Sequence, residues 1–340
     1  MSIEKNGLSG LLVGNPGIRR SDLIKKAGLT PKELDNLLKK GFKGYNLFTQ
    51  RRENDNSYHL VSEPKLPVAE NKIWKVLYCP NGKPYLWVQF PDTDWKKITL
   101  IPFSDLQWGS EECNEEQIRQ SVEWIGQQEN VFIFINEDLL DNALASSVGG
   151  SVYQNKLKPR EQVLTMIELL RPIAHKILWA IPGNHEERTV KLADLDPLEW
   201  ICSVLGIPYF NEPVFVNILW KGNRFNFYCF HGVSGSRTIG GKLNAATKPI
   251  NWTEFIMFII MGHVHDPMVN PITRRCILRE YDDDGKLKEL RVVDRDQYVI
   301  ICPAWLDFWN SYGHRQAYAP PSEGQIMCYM MADGSYQVSQ

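Results

Sequence analysis

The 340-residue chain reads as an α/β protein with a small helical module in front of it. Two observations carry that reading. From residue 98 onward, apolar runs of strand length alternate with amphipathic runs of helix length, the βαβα order of a largely parallel sheet. Five of the apolar runs stop at polar residues of a related kind: Asp, Asp, Asn-His, His and His-x-His. Parallel strands bring their carboxyl ends to one edge, so these five tips are expected to converge there.

The first module comes from residues 19 to 40. Leu23, Ile24 and Ala27, then Leu34, Leu37 and Leu38, fall at helical spacing on either side of Gly28, and Thr30-Pro31-Lys32-Glu33 forms a capping box with Pro at the first helical position. Helix, tight turn and second helix are expected. They resemble a helix-turn-helix module, and the stretch from Arg51 and Arg52 to Leu60 resembles the β-wing of a winged-helix domain. That resemblance implies that the second helix, Pro31 to Lys40, meets the DNA major groove while Arg51 and Arg52 meet phosphates. A plain packing or protein-interaction domain is the alternative. Residues 1 to 62 hold eleven Lys and Arg against six Asp and Glu, a net +5, which leaves −7 on the remainder of a chain whose total is −2. A basic front on an acidic body suits a polyanionic partner at one end, nucleic acid above all. Domain limits follow: 1–62, a Pro-bearing linker at 63–72, and 73–340.

Composition is that of an ordinary globular protein, 43% hydrophobic and 23% charged, which excludes a disordered or fibrous chain. The longest apolar run, Phe255 to Met261, falls well short of the ~20 residues of a membrane helix. The N-terminus is Gly-broken and too short for a signal peptide, so a cytoplasmic location and no membrane are expected. The seven Cys contain no C-x-x-C pair and sit among apolar neighbours, as reduced thiols do.

Residues 73 to 91 are strand-like around a turn at Pro80 to Lys83, and their Trp74, Tyr85 and Trp87 either stack bases or pack on the core. Then come strand Ile98 to Phe103, ending in Ser104-Asp105-Leu106-Gln107, and helix Cys113 to Gln128. Strand Val131 to Ile135 ends in Asn136-Glu137-Asp138 with Asp141 and Asn142 beyond, and helix Arg160 to Arg171 follows. Strand Lys176 to Ile181 breaks at Pro182-Gly183 and delivers Asn184, His185 and Glu186; Phe225 to Phe230 delivers His231, and Phe255 to Met261 delivers His263 and His265. Taken singly, each tip has a bland reading as a cap or a loop hydrogen bonder. Together they offer carboxylate, carboxamide and imidazole without thiolate, a donor mixture that suits divalent Mn, Fe or Zn.

Asp105-x-Gln107, Asp138-x-x-Asp141, Gly183-Asn184-His185-Glu186, His231-Gly232 and Gly262-His263-Val264-His265 resemble, in order and spacing, the five signature blocks of the calcineurin-like metallophosphoesterases. The resemblance spans about residues 98 to 268, and the tandem His of the last block is closer to the nuclease and phosphodiesterase branches. It implies a two-sheet α/β sandwich flanked by helices and two divalent ions, Mn2+ first with Fe or Zn as alternatives. Asp138 would bridge the ions, with Asn184, His231 and His263 on one and Asp105, Gln107 and His265 on the other. A pair of ions about 3.5 to 4 Å apart activates water and neutralises phosphoryl oxygens. His185 would protonate the leaving oxygen, its tautomer set by Asp141. Arg188 either contacts phosphate or makes a surface ion pair, and the loop from His231 to Lys242, with Gly232, Gly235, Gly240 and Gly241 between Arg237 and Lys242, either cradles phosphate or is simply solvated.

Two positions depart from the family pattern. Gln107 stands where the family has His, which should weaken one ion site, and Glu137 stands where it has Gly. Glu137 would crowd the site, point away, or supply a substitute carboxylate. Residues 269 to 340, with strand-like runs at Tyr298 to Cys302 and Gln325 to Met331, are expected to form the second sheet; Asp282 to Gly285 reads as a solvated turn rather than a calcium loop. The function this implies is a metal-dependent phosphoesterase, foremost a phosphodiesterase or nuclease on DNA. Alternatives are a phosphatase on a nucleotide or phosphoprotein, and a non-catalytic binding protein on a degenerate core.

Overall fold

Apolar strands that alternate their side chains have two faces to cover, and the computed structural model shows how each is covered. It describes residues 8, 12, 18–39, 45–51, 56–62, 72–79, 83–145, 147, 153, 155–236, 238–281, 287–307 and 325–340. The chain divides into two compact units, Met1–Leu66 and Pro67–Gln340.

In the first unit, β1 (Ile18–Arg19) leads into α1 (Arg20–Ala27) and α2 (Pro31–Lys39), and β2 (Tyr45–Arg51) and β3 (Asn56–Ser62) follow. Gly28 ends α1 in the left-handed conformation at φ 63°, where a Cβ would be strained. The Thr30 Oγ1 accepts from the Glu33 N–H at 3.3 Å while a Glu33 carboxylate oxygen accepts from the Thr30 N–H at 2.7 Å, the reciprocal capping expected of this sequence. Leu23, Ala27, Leu29 and Leu34 close a small core with Leu8, Leu12 and Ile18. The three strands form an antiparallel sheet in the order β1-β3-β2. Arg52 and residues 53–55 at its tip lie outside the described residues, as does the expected linker over 63–71.

The second unit contains two sheets. The hairpin of β4 (Lys75–Tyr78) and β5 (Tyr85–Gln89) precedes β6 (Lys97–Ser104), α3 (Glu115–Gln127), β7 (Val131–Glu137), α4 (Pro159–Leu170) and β8 (Ile177–Ala180). Next come α5 (Glu187–Ala193), α6 (Pro197–Leu205), β9 (Val214–Trp220), β10 (Asn223–Phe230), α7 (Ile239–Thr247) and β11 (Phe258–Met261). A long hairpin of β12 (Met268–Tyr281) and β13 (Leu287–Ile301) follows, then β14 (Met327–Met331) and β15 (Tyr336–Ser339). The five-stranded sheet runs β15-β14-β6-β7-β8 and the seven-stranded sheet β12-β13-β11-β10-β9-β5-β4. Strands β6, β7 and β8 are mutually parallel, as are β10, β11 and β13.

Alternation sorts the side chains into layers. Leu100, Phe132, Phe134 and Leu178 of the smaller sheet face Val216, Phe227, Phe258 and Ile300 of the larger one in a shared core. On the far side of the smaller sheet, Ile101, Phe103, Ile133 and Ile135 pack under α3, α4 and α6. On the far side of the larger sheet, Ile259 and Val299 pack under Ala245 and Ala246 of α7. The result is a helix, sheet, sheet, helix sandwich.

Two expectations change, and one alternative is decided. The five polar tips do not share one sheet edge: β6, β7 and β8 supply three, and β10 and β11 supply two from the facing sheet. The C-terminal region does not form one sheet either, because β12 and β13 join the larger sheet while β14 pairs with β6 in the smaller. Trp74 is 2% exposed and its indole N–H donates to the His175 carbonyl at 2.9 Å, so it packs rather than stacking bases. Residues 80–82, 282–286 and 308–324 lie outside the described residues, including the Asp282 to Asp284 turn. Among the described residues, no helix is long and apolar enough to cross a membrane.

Phe134 stacks on Trp179 at 4.4 Å between ring centroids and meets Phe227 of the opposite sheet edge-on at 6.4 Å. Phe134→Ala should cost about 3–5 kcal/mol in urea unfolding. A loss below about 1 kcal/mol would show that the sheets are not held together there.

Candidate metal centre

The parallel register between β6 and β7 continues past the strands into their loops. The Asp105 N–H donates to the Glu137 carbonyl at 3.3 Å, the Gln107 N–H to the Asp138 carbonyl at 3.0 Å, and the Trp108 N–H to the Leu139 carbonyl at 3.0 Å. These bonds hold the first two tips side by side. The backbone of these loops adopts positive φ at Asp105 (52°), Gln107 (45°), Glu137 (130°) and Asp138 (40°). The third tip crosses beneath them: the His185 N–H donates to Asp138 Oδ1 at 2.9 Å, and a Cβ on Gly183 would stand 2.1 Å from that oxygen. Only glycine allows that approach. Glu186 ties the loops together, accepting from the Gly183 N–H and the Leu140 N–H, both at 3.0 Å.

From the larger sheet, the His263 N–H points between Asp105 and Glu137, 3.2 Å from an oxygen of each. The His231 and His263 rings meet at 4.4 Å between centroids, and His231 Nδ1 contacts Glu137 Oε2. His265 Nε2 lies 2.9 Å from Asp105 Oδ1 and 3.2 Å from Gln107 Nε2. Eight of the nine residues singled out in the sequence therefore border one locus, and the ninth, Asn184, is the chain neighbour of His185. Ligand atoms of Asp138, His231 and His263 lie within 4.8 Å of one another, and so do those of Asp105, Glu137 and Asp138. Asp138 belongs to both groups. Asn184 Oδ1, on the residue preceding His185, is buried without any hydrogen-bond partner.

Burial alone would push all these carboxyls up, and the neighbours decide which ones follow. At Asp105 burial is outweighed by the His265 imidazole and its hydrogen bond, which hold the carboxyl well below its usual range. At Glu137, burial is reinforced by Asp105 and Asp138, and the carboxyl is driven well above it. Glu186 is pushed up to about 7 by burial and by Asp138, against its two backbone donors.

His185 is gripped from both sides. Its Nδ1 lies 2.9 Å from the Asp141 carbonyl oxygen and 3.3 Å from Asp141 Oδ1, while an Arg188 guanidinium nitrogen lies 3.1 Å from Nε2. A guanidinium can only donate, so in this arrangement Nε2 is bare and the ring neutral, with its proton on Nδ1. Burial favours that state, yet Asp138 and Asp141 together pull the imidazole toward protonation and raise its pKa on balance. The two states exclude each other, because a proton on Nε2 displaces Arg188. Arg188 is thus no surface ion pair: it also donates to the Asp141 carbonyl at 2.7 Å.

Sequence reasoning passed over three supports. Ser104 Oγ bridges Asp105 Oδ2 (3.0 Å) and Glu137 Oε1 (2.7 Å). Asn142, at φ 46°, donates to the His185 carbonyl at 2.9 Å. Asn155 donates to Asp141 Oδ2 at 2.6 Å. The first two adjoin a strand tip and were open to inspection; nothing in the sequence marks Asn155. In the Gly-rich loop, Arg237 lies outside the described residues and Lys242 is engaged by Asp266 and by the Val264 carbonyl, so that loop presents no free Lys242 to phosphate.

Glu186 makes a pH test of the buried centre. With a folded value of about 7 and an unfolded one near 4.3, the folded protein keeps the extra proton between them, so its stability falls as pH rises through that window. Urea unfolding in EDTA from about pH 4.5 to 7 should show a decline of up to about 3 kcal/mol that Glu186→Gln removes. An identical slope in both proteins would show that Glu186 does not titrate there.

No protein-family profile matches the chain, and no curated protein matches it. Among solved structures, the NAD nucleotidase NadN of Haemophilus influenzae is similar over 72% of this chain and 49% of its own, at 9% identity and a TM-score of 0.33. The calcineurin-like phosphoesterase YfkN of Bacillus subtilis is similar over 72% and 88%, at 12% identity and a TM-score of 0.33. The nuclease MPE of Pseudomonas putida is similar over 71% and 86%, at 14% identity and a TM-score of 0.30. The chain spans about half the length of the NAD nucleotidase.

Proposed function

We propose that the chain is a metal-dependent phosphoesterase that cleaves phosphodiesters of nucleic acid, DNA foremost, with two divalent ions as cofactors. The observation that carries this reading is the double membership of Asp138, whose carboxylate groups with His231 and His263 on one side and with Asp105 and Glu137 on the other. One carboxylate common to two donor groups is the layout a two-ion site needs. The donors fit the ions chemically: buried oxygens and imidazoles without thiolate, and an open Asn184 Oδ1. Asp138, Asn184, His231 and His263 would hold one ion and Asp138, Asp105 and His265 the other, where the neutral Gln107 would be a poor donor. Mn2+ is the first ion to test, with Fe and Zn behind it. What bound ions supply is a nucleophile drawn from water and neutralisation of phosphoryl charge.

The remaining chemistry belongs to the chain. Asp141 holds Nδ1 of His185, so that Nε2 is the atom that carries a proton to the leaving oxygen. Arg188 waits at Nε2, placing a fixed positive charge where an anionic substrate arrives; moving onto a phosphoryl oxygen, it releases Nε2 for protonation. DNA leads among substrates because of the first unit: net +5 over residues 1 to 62, and a helix-turn-helix followed by an antiparallel hairpin. We read that unit as a winged helix in which α2 enters the major groove and Arg51 and Arg52 meet phosphates.

With Mn2+ present, the protein should hydrolyse bis-p-nitrophenyl phosphate and single-stranded DNA, and His185→Ala should lower the rate by about 10²–10⁴ without changing metal content. Equal rates in the two proteins would sink the enzyme reading. Duplex DNA should shift in gels in a salt-sensitive way, and Arg51→Glu with Arg52→Glu should weaken binding and flatten its salt dependence. Unchanged binding by that variant at low salt would remove the wing from the interface.

A further inference from the structure

We infer that Glu137 is itself a metal ligand, a third carboxylate that supplies the donor missing at Gln107 and biases the centre toward hard ions such as Mn2+ or Mg2+ over Zn2+. The inference rests on the two-ion reading above and deepens it.

The position of the carboxylate is the first ground. One oxygen each of Asp105, Glu137 and Asp138 fall within 4.8 Å of one another, and all three residues are at most 1% exposed. Glu137 therefore neither points away nor reaches solvent. Its carboxylate is also held in place between the two donor groups: Oε1 accepts from Ser104 Oγ at 2.7 Å and from the His263 N–H at 3.2 Å, and Oε2 contacts His231 Nδ1. The fold makes room for it as well: a Cβ on Gly262 would stand 2.0 Å from Oε1.

The second ground is what Gln107 does instead. Its backbone keeps the place beside Asp138, through the 3.0 Å bond to the Asp138 carbonyl, but its amide nitrogen lies 3.2 Å from His265 Nε2. The side chain holds a neighbouring imidazole and contributes no anionic or imidazole donor of its own. Glu137 reaches the same Asp105 side of the centre from the adjacent strand. Three carboxylates against two divalent ions leave a formal +1 before substrate arrives, where two would leave +2. Added anionic oxygen favours hard cations over borderline ones.

The test uses full-length protein stripped with EDTA and titrated with Mn2+ and with Zn2+ by calorimetry, with metal counted after desalting and Mn2+ followed by EPR. The wild type should retain two Mn2+. Glu137→Gln and Glu137→Gly should each keep their EDTA melting transition yet bind the second Mn2+ about tenfold or more weakly, and adding Gln107→His should restore stoichiometry with a preference shifted toward Zn2+. If either Glu137 variant binds two Mn2+ as tightly as wild type, or more tightly, Glu137 is an obstacle and the inference falls while the two-ion reading stands. A wild type that binds no divalent ion overturns both.

Discussion

Three carboxyl groups, Asp105, Glu137 and Asp138, share a space that solvent does not reach, and the surrounding structure is arranged by that fact. Two like charges about 4 Å apart repel by about 4 kcal/mol even at an effective dielectric near 20. A hydrogen bond to a charged group returns about 1.5–3 kcal/mol. The donors supplied here, the Ser104 hydroxyl and the backbone N–H groups of His185 and His263, therefore moderate the repulsion without removing it. Protons can remove it, which is why Glu137 is driven upward, and so can cations. Two histidines at the rim face these acids directly, His265 against Asp105 and His231 against Glu137.

Holding those groups together requires backbone that ordinary residues avoid. Asp105, Gln107, Glu137, Asp138, Asn142, His263 and His265 all lie at positive φ. Each such residue costs on the order of 1–3 kcal/mol, and it persists only where its surroundings over-determine it. Here the strands that feed these turns are deeply buried: β7 and β11 along their whole length, and β6 at every residue but its first. The sandwich core thus supplies the stability against which the tips are strained.

Much of this was legible in the residues. An apolar run that stops at Asp, Asn or His announces a strand tip, and five such stops mark Asp105, Asp138, Asn184, His231 and His263. Sheet membership was not legible. Apolar alternation reports that a strand is buried, not which partner it finds, so the division of the tips between two facing sheets had no local signal. The pairing of β14 with β6 joins residues more than two hundred positions apart, as Cys328 opposite Leu100 shows. The direction of the Glu137 side chain was equally hidden, because it depends on the bare space over Gly262, which belongs to the other sheet.

Gln107 and Glu137 stand thirty positions apart in the chain, yet in space both border Asp105, Gln107 through His265 and Glu137 through the shared Ser104 hydroxyl. Gln107 preserves the left-handed backbone and the bond to the Asp138 carbonyl, so the loop that carries Asp105 keeps its shape. What changes is confined to the end of the side chain, which attaches to His265. Glu137 then occupies a conformation that glycine would adopt more easily, with its carboxylate seated by Ser104 and by the His263 amide. A site that had merely lost its purpose would have no reason to bury a third acid against two others at φ 130°. Under the two-ion reading, the strain at Glu137 and the neutral amide at Gln107 belong together, because the carboxylate on the neighbouring strand supplies the anionic donor that the amide does not.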